Sequence, residues 1–91
     1  MDTKINNSLG PTVYIVTCYE MRDGVVEYNE VYVYANECRA REHYDSIVEE
    51  IKSLTPQAWQ VDKAKDYYCA WEDGYFAHNR TEIDIRKTNL L

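Results

Sequence analysis

The chain has 91 residues, enough for one hydrophobic core and too few for two. Its 16 acids against 10 bases give a formal net charge of −6, which disfavours nonspecific binding to nucleic acid or to an anionic membrane. No apolar run reaches the ~20 residues that a membrane-spanning helix needs.

Residues 1–11 are polar, carry Gly10-Pro11 and show no periodicity. They predict a mobile leader that lacks the charged and apolar segments of a secretory signal. From Thr12 to Glu20 the chain is dense in β-branched and aromatic residues, which suit a pleated, half-buried surface. Asp23-Gly24 supplies a turn and Val25 to Ala35 reads as a second strand, so the two segments predict a hairpin. A helix follows. Asn36 is placed to cap it and Glu37 to complement the positive end of its dipole. Ala40, Tyr44, Ile47, Val48, Ile51 and Leu54 fall on one helical stripe, with Arg41, Asp45, Glu49 and Lys52 opposite. Thr55-Pro56 ends the helix, because the residue before a proline avoids the helical region. Pro56 to Trp59 is either loop or a short helical turn.

Asp62 to Asp66 reads as a charged loop, Tyr67 to Glu72 as a third strand, Asp73-Gly74 as a second hairpin turn and Tyr75 to His78 as a short fourth strand. Thr81 to Arg86 alternates Ile83 and Ile85 with Glu82, Asp84 and Arg86, the pattern of a strand with one face in water. His78 to Arg80 is either a turn or a bulge. Residues 12–87 thus predict a single α+β domain. It is an antiparallel sheet of four to five strands with one amphipathic helix on one face, in the order β-β-α-β-β, followed by a C-terminal tail at 88–91.

One helix covers one face of such a sheet, so the other needs an explanation. A two-residue loop at Asp23-Gly24 puts Tyr28, Tyr32 and Tyr34 on a face with Val13 and Ile15. A three-residue loop with Gly24 in a bulge slips the pairing by one. Val13, Ile15, Val31 and Val33 then share one face, and Tyr14, Val16, Cys18, Tyr28, Tyr32 and Tyr34 the other. The second register is preferred because it sorts aliphatic from aromatic side chains. The aliphatic face is expected beneath the helix. The tyrosine face, extended by Tyr68 or Trp71, is expected to be open, and Tyr14, Tyr28, Tyr32, Tyr34 and Trp71 become the candidate interaction surface. Against this stands ordinary sheet packing, with the segment around Trp59 folded across the same face.

Chemistry-bearing patterns are sparse. Cys18, Cys38, Cys69, His43 and His78 lack the paired short spacings of a zinc site. A Cys69–His78 nucleophile and base has no third orienting group. The three glycines are isolated and form no phosphate loop. No catalytic residue, metal or cofactor is expected. Acids gather in two places, with Glu20, Glu27 and Glu30 around the first hairpin and Glu42, Asp45 and Glu49 on the helix. Spaced carboxylates of this kind suit either solvation or mimicry of a phosphate backbone. Tyr75, Phe76, Arg80 and Arg86 combine rings with positive charge, a pattern that suits an anionic or nucleotide ligand. The 3 cysteines, odd in number and widely spaced, fit reduced thiols and predict a cytoplasmic setting.

The stretch Val31-Tyr-Val-Tyr-Ala-Asn-Glu-Cys-Arg-Ala-Arg-Glu-His-Tyr44, with the alternating strand Thr81-Glu-Ile-Asp-Ile-Arg86, resembles a pattern in short uncharacterised proteins of bacteria and their phages. The resemblance covers residues 12–87 in outline. It implies a β-β-α-β-type fold and a mobile-element origin, and it brings no activity or catalytic residue. The expectation is a non-catalytic module that binds another protein, a second copy of itself included, without direct contact to nucleic acid or membrane. Its specific form is an inhibitor or accessory factor acting on host nucleic-acid machinery.

Overall fold

The computed structural model describes residues 11–72 and 79–89. The described elements are β1 (Thr12–Arg22), β2 (Val25–Tyr34), α1 (Glu37–Leu54), β3 (Gln60–Ala64), β4 (Tyr67–Trp71) and β5 (Arg80–Asn89). The strands form one antiparallel sheet in the order β2-β1-β5-β4-β3, with the helix on one face. This is the α+β architecture expected, with the helix between the second and third strands. The leader and the proposed strand Tyr75 to His78 lie outside the described residues, apart from Pro11.

The first hairpin reaches the preferred register by another route. Arg22 pairs with Val25, so the loop is the two residues Asp23 and Gly24, at φ 53° and 79°. Both are left-handed, as a type I′ turn requires. The slip comes further along: Glu20 faces Tyr28 and Met21 faces Val26, which leaves Glu27 as the extra residue of a bulge. Beyond it Val16 faces Tyr32 and Ile15 faces Val33, so aliphatic and aromatic side chains sort onto opposite faces.

Which face is inner is reversed from expectation. Helix α1 lies over the face that carries Tyr14, Val16, Cys18, Tyr32 and Tyr34. The reason sits in β5, which joins β1 on the side away from β2. Val16 pairs with Ile85 and Cys18 with Ile83, so the two isoleucines must point the same way as the tyrosines. Their neighbours Glu82, Asp84 and Arg86 then occupy the middle of the other face, which has to stay wet. The core is built from Val16, Cys18, Ala40, Tyr44, Tyr68, Ala70, Ile83 and Ile85. Small or branched residues lie under the helix, and long rings wrap its flanks with their hydroxyls outward. Tyr34 Oη is 2.6 Å from His43 Nδ1, and Tyr32 Oη donates to Glu30 Oε2 at 2.9 Å.

The helix starts as its sequence dictates. Asn36 Oδ1 accepts from Arg39 N at 3.0 Å, with Glu37 in the first turn and Lys52 in the last. Thr55 stops it in an extended conformation, with its hydroxyl donating to Ile51 O at 2.6 Å. Pro56 to Trp59 is a turn closed by Trp59 N donating to Pro56 O at 3.1 Å, and no helix forms there. Leu54, expected on the buried stripe, is 70% exposed at the helix end.

The charged segment read as loop is the edge strand β3, joined to β4 by the two-residue turn Lys65-Asp66. Arg41 clamps that turn to the helix, donating to Lys65 O at 2.9 Å and to Asp66 Oδ1 at 2.7 Å. At the other end, β5 continues to Asn89, so Thr88 and Asn89, assigned to a C-terminal tail, belong to the sheet, while Leu90 and Leu91 lie outside the described residues.

Candidate functional site

The residues expected to form an open aromatic surface do not come together on one. Tyr14, Tyr32 and Tyr34 are half-buried against the core beneath the helix, and Trp59 packs at its end. Tyr28 is exposed at the rim, its hydroxyl 3.2 Å from that of Tyr32. Trp71 is paired through β4 with Arg80 and Gln60, on the opposite face. The alternative of ordinary sheet packing therefore describes the tyrosines, and the helix does the covering.

The uncovered face has two unlike halves. Across β5, β4 and β3 the polar groups satisfy one another. Thr17 Oγ1 donates to Asp84 Oδ1 at 2.7 Å, Arg80 Nε donates to Glu82 Oε2 at 2.7 Å, and the Tyr67 hydroxyl donates to Asp62. The last of these bonds holds the Tyr67 phenol proton and raises its pKa. Arg80 also lies 5.9 Å from the centre of the Trp71 ring. Across β1 and β2 the same face is aliphatic at the end away from the turn, with Thr17, Tyr19 and Asn29 nearer to it. Ile15 is half-buried beside Val33, and Val31 and Val33 are each 59% exposed. Between the turn and the bulge Val25 and Val26 are exposed as well, Val25 paired with Arg22 on the helix side, so one edge strand carries four exposed valines.

That edge is guarded at one end only, by the bulge at Glu27. Natural sheets blunt their edges with short strands, lysine, proline or bulges. β3, at one edge, is 5 residues long and carries Lys63. β2, at the other, is 10 residues long, and its regular stretch Tyr28–Tyr34 has neither lysine nor proline. No described strand pairs with its outer side.

On the helix side a groove runs between the C-terminal half of α1 and the first hairpin. One part, ≈ 340 Å³, is walled by Tyr28, Tyr32, His43, Glu50 and Leu54, and Cys18 and Glu20 line it too. A second part, ≈ 220 Å³, continues past Glu20 and Arg22 to Trp59. Much of its polar lining is engaged internally: Arg22 pairs with Glu20 at 3.1 Å and lies 5.4 Å from the Trp59 ring centre.

The remaining candidates disperse. Cys18 lies on the helix side of the sheet, Cys69 is buried on the other side beside Glu82, and Cys38 is exposed on the helix. Burial, then Glu20, Glu30 and Glu50, push the Cys18 thiol up to about 11, and burial raises Cys69 too. Burial thus favours the protonated thiol in both, which works against a nucleophilic role. Among the described residues no three His, Cys, Asp or Glu side chains gather as a metal site would require. Tyr75, Phe76 and His78 lie outside the described residues. Arg80 is committed to Glu82, and Arg86 stands across from Ile15 on the open face, six residues up the strand. Of the acids, Glu20 and Glu30 are tied to Arg22 and Tyr32, Glu27 is the bulge residue, and Glu42, Asp45 and Glu49 are exposed on the helix. No helix among the described residues is long and apolar enough to cross a membrane. The exposed valines of β2 were legible as strand residues, but their exposure depends on where β5 inserts, which no local pattern encodes. Comparison with family models, with curated proteins and with solved structures returns no match, so the site is defined by its own geometry.

Proposed function

We propose that this protein is a non-catalytic interaction module that binds another protein through the aliphatic half of its open sheet face and the adjoining edge of β2. The observation that carries the reading is the cluster of Val31 and Val33, both more than half exposed, on an edge strand guarded only at its bulge and beside Ile15 of β1. Exposed apolar side chains scattered singly need no explanation, but a contiguous group on a sheet edge is a place where a partner gains both main-chain hydrogen bonds and apolar contact. The polar half of the same face has its own internal partners, so it serves as the wet rim of such an interface. The protonated thiols favour binding over thiol chemistry.

The test is retention of partners on the immobilised chain, with Val31→Lys/Val33→Lys set against Glu42→Lys on the helix. The valine variant is expected to melt like the parent and to lose the proteins that the parent and the helix variant retain. An identical retained set for all three would refute the assignment to this face.

A further inference from the structure

We infer that the occupant of the β2 edge is a second copy of this chain, paired antiparallel through Tyr28–Tyr34 about a two-fold axis at Val31. The inference rests on the reading of the open face as an interaction surface and names its partner. A two-fold pairing sets each residue against its mirror position, so the strand must be complementary to itself. The bulge at Glu27 leaves 7 regular residues, and Val31 is their midpoint. Centred there, Val31 meets Val31, Glu30 meets Tyr32, Asn29 meets Val33 and Tyr28 meets Tyr34. No like charges are apposed, although the chain carries a net charge of −6. A centre one residue earlier would set Glu30 against Glu30.

The side chains support the same axis on both faces. Tyr32 donates its single hydroxyl proton to Glu30 on its own strand, so on the helix face the axis sets one closed pair against the copy's closed pair and leaves neither carboxylate without a partner. On the open face the two Val31 side chains meet on the axis, and each Val33 lies diagonal to the copy's Val31 and across from its Asn29. The other edge, β3, offers none of this: it is short, carries Lys63 and Asp62, and all five residues are exposed.

Sedimentation over micromolar to submillimolar concentrations tests the assembly, and thiol cross-linking tests its register. The expected result is a reversible dimer that Val31→Lys weakens about tenfold or more by setting two ammonium groups on the axis. In a Cys38→Ser background, Val31→Cys is expected to cross-link two chains readily, and Val33→Cys much less, because position 33 faces position 29. Because Val31 is largely exposed, both variants should retain the parental circular dichroism. A monomer at every concentration would overturn the inference, as would a dimer indifferent to Val31→Lys or cross-linking no better at 31 than at 33. A monomer whose other partners still depend on Val31 and Val33 would overturn the second copy alone and leave the interaction face standing.

Discussion

The reversal of inner and outer faces can be measured with two substitutions of similar chemistry. Ile83 is 1% exposed under the helix, paired on β1 with Cys18 and on β4 with Tyr68. Ile83→Ala removes three carbons from a site that cannot collapse without moving the helix, and losses of this kind cost about 2–5 kcal/mol. A domain of this size has roughly 5–14 kcal/mol to lose. At roughly 4–8 °C per kcal/mol, a cost of 3 kcal/mol lowers the melting temperature by about 12–24 °C. Val33→Ala, on the face expected from sequence to lie under the helix, removes carbons that are 59% exposed already. Its transfer loss is under about 1 kcal/mol, with no closed cavity to add to it. The assay is thermal and urea unfolding by circular dichroism, extrapolated to dilute protein so that any self-association drops out. Equal shifts, or a larger one at Val33, would refute the placement of the helix on the tyrosine face.

Alkaline pH reports on the same burial. Cys18 has a folded pKa raised from 9.0 to about 11, so the unfolded chain releases its proton first. The stability from the buried thiol is complete below pH 9 and is lost as pH rises to about 11, and Cys18→Ala is expected to flatten the stability profile over that window. Tyr44, raised to about 12 by burial, adds a similar loss above its unfolded value of 10 and keeps the profile falling in the variant. A thiol reagent at neutral pH is expected to modify exposed Cys38 and to reach Cys18 and Cys69 only on unfolding; fast labelling of all three would contradict the packing. Arg41→Ala frees the Lys65-Asp66 turn from the helix. It is expected to cost about 1 kcal/mol and to raise amide exchange in β3 selectively. Uniform exchange across the sheet would show that the clamp is not local.

Much of the fold is legible in local chemistry. Asn36 and Thr55-Pro56 bracket the helix because capping and the pre-proline restriction act within one turn of chain. Ile83 and Ile85 announce a half-wet strand by alternation alone. The edge strand β3 is silent in the sequence for a matching reason: all five of its residues are exposed, so burial imposes no period on Gln60-Val-Asp-Lys-Ala. It is specified from outside, by its ladder to β4 and by the Arg41 clamp on its turn. The Glu27 bulge is equally silent, since only the sorting of faces on either side of it reveals that a residue has been added.

The candidate site was harder to read than the fold because a hairpin alone is symmetric with respect to its two sides. Val13, Ile15, Val31 and Val33 are as good a helix seat as Tyr14, Val16, Tyr32 and Tyr34 when only β1 and β2 are considered. The choice is made by a strand far along the chain. β5 pairs with β1, its isoleucines fall on the tyrosine side, and its Glu82, Asp84 and Arg86 fall on the valine side. A helix laid on the valine side would have to bury those charges, and several kcal/mol per desolvated ion outweighs any difference in packing between valine and tyrosine. The valines are therefore left outside because β5 needs its charges wet. That accounts for their exposure without any appeal to a partner. What the charges of β5 do not explain is the unguarded length of β2 beyond the bulge, where one lysine would have closed the edge at little cost in stability. It is that open edge, together with the valines grouped beside it, that favours an interface along β2.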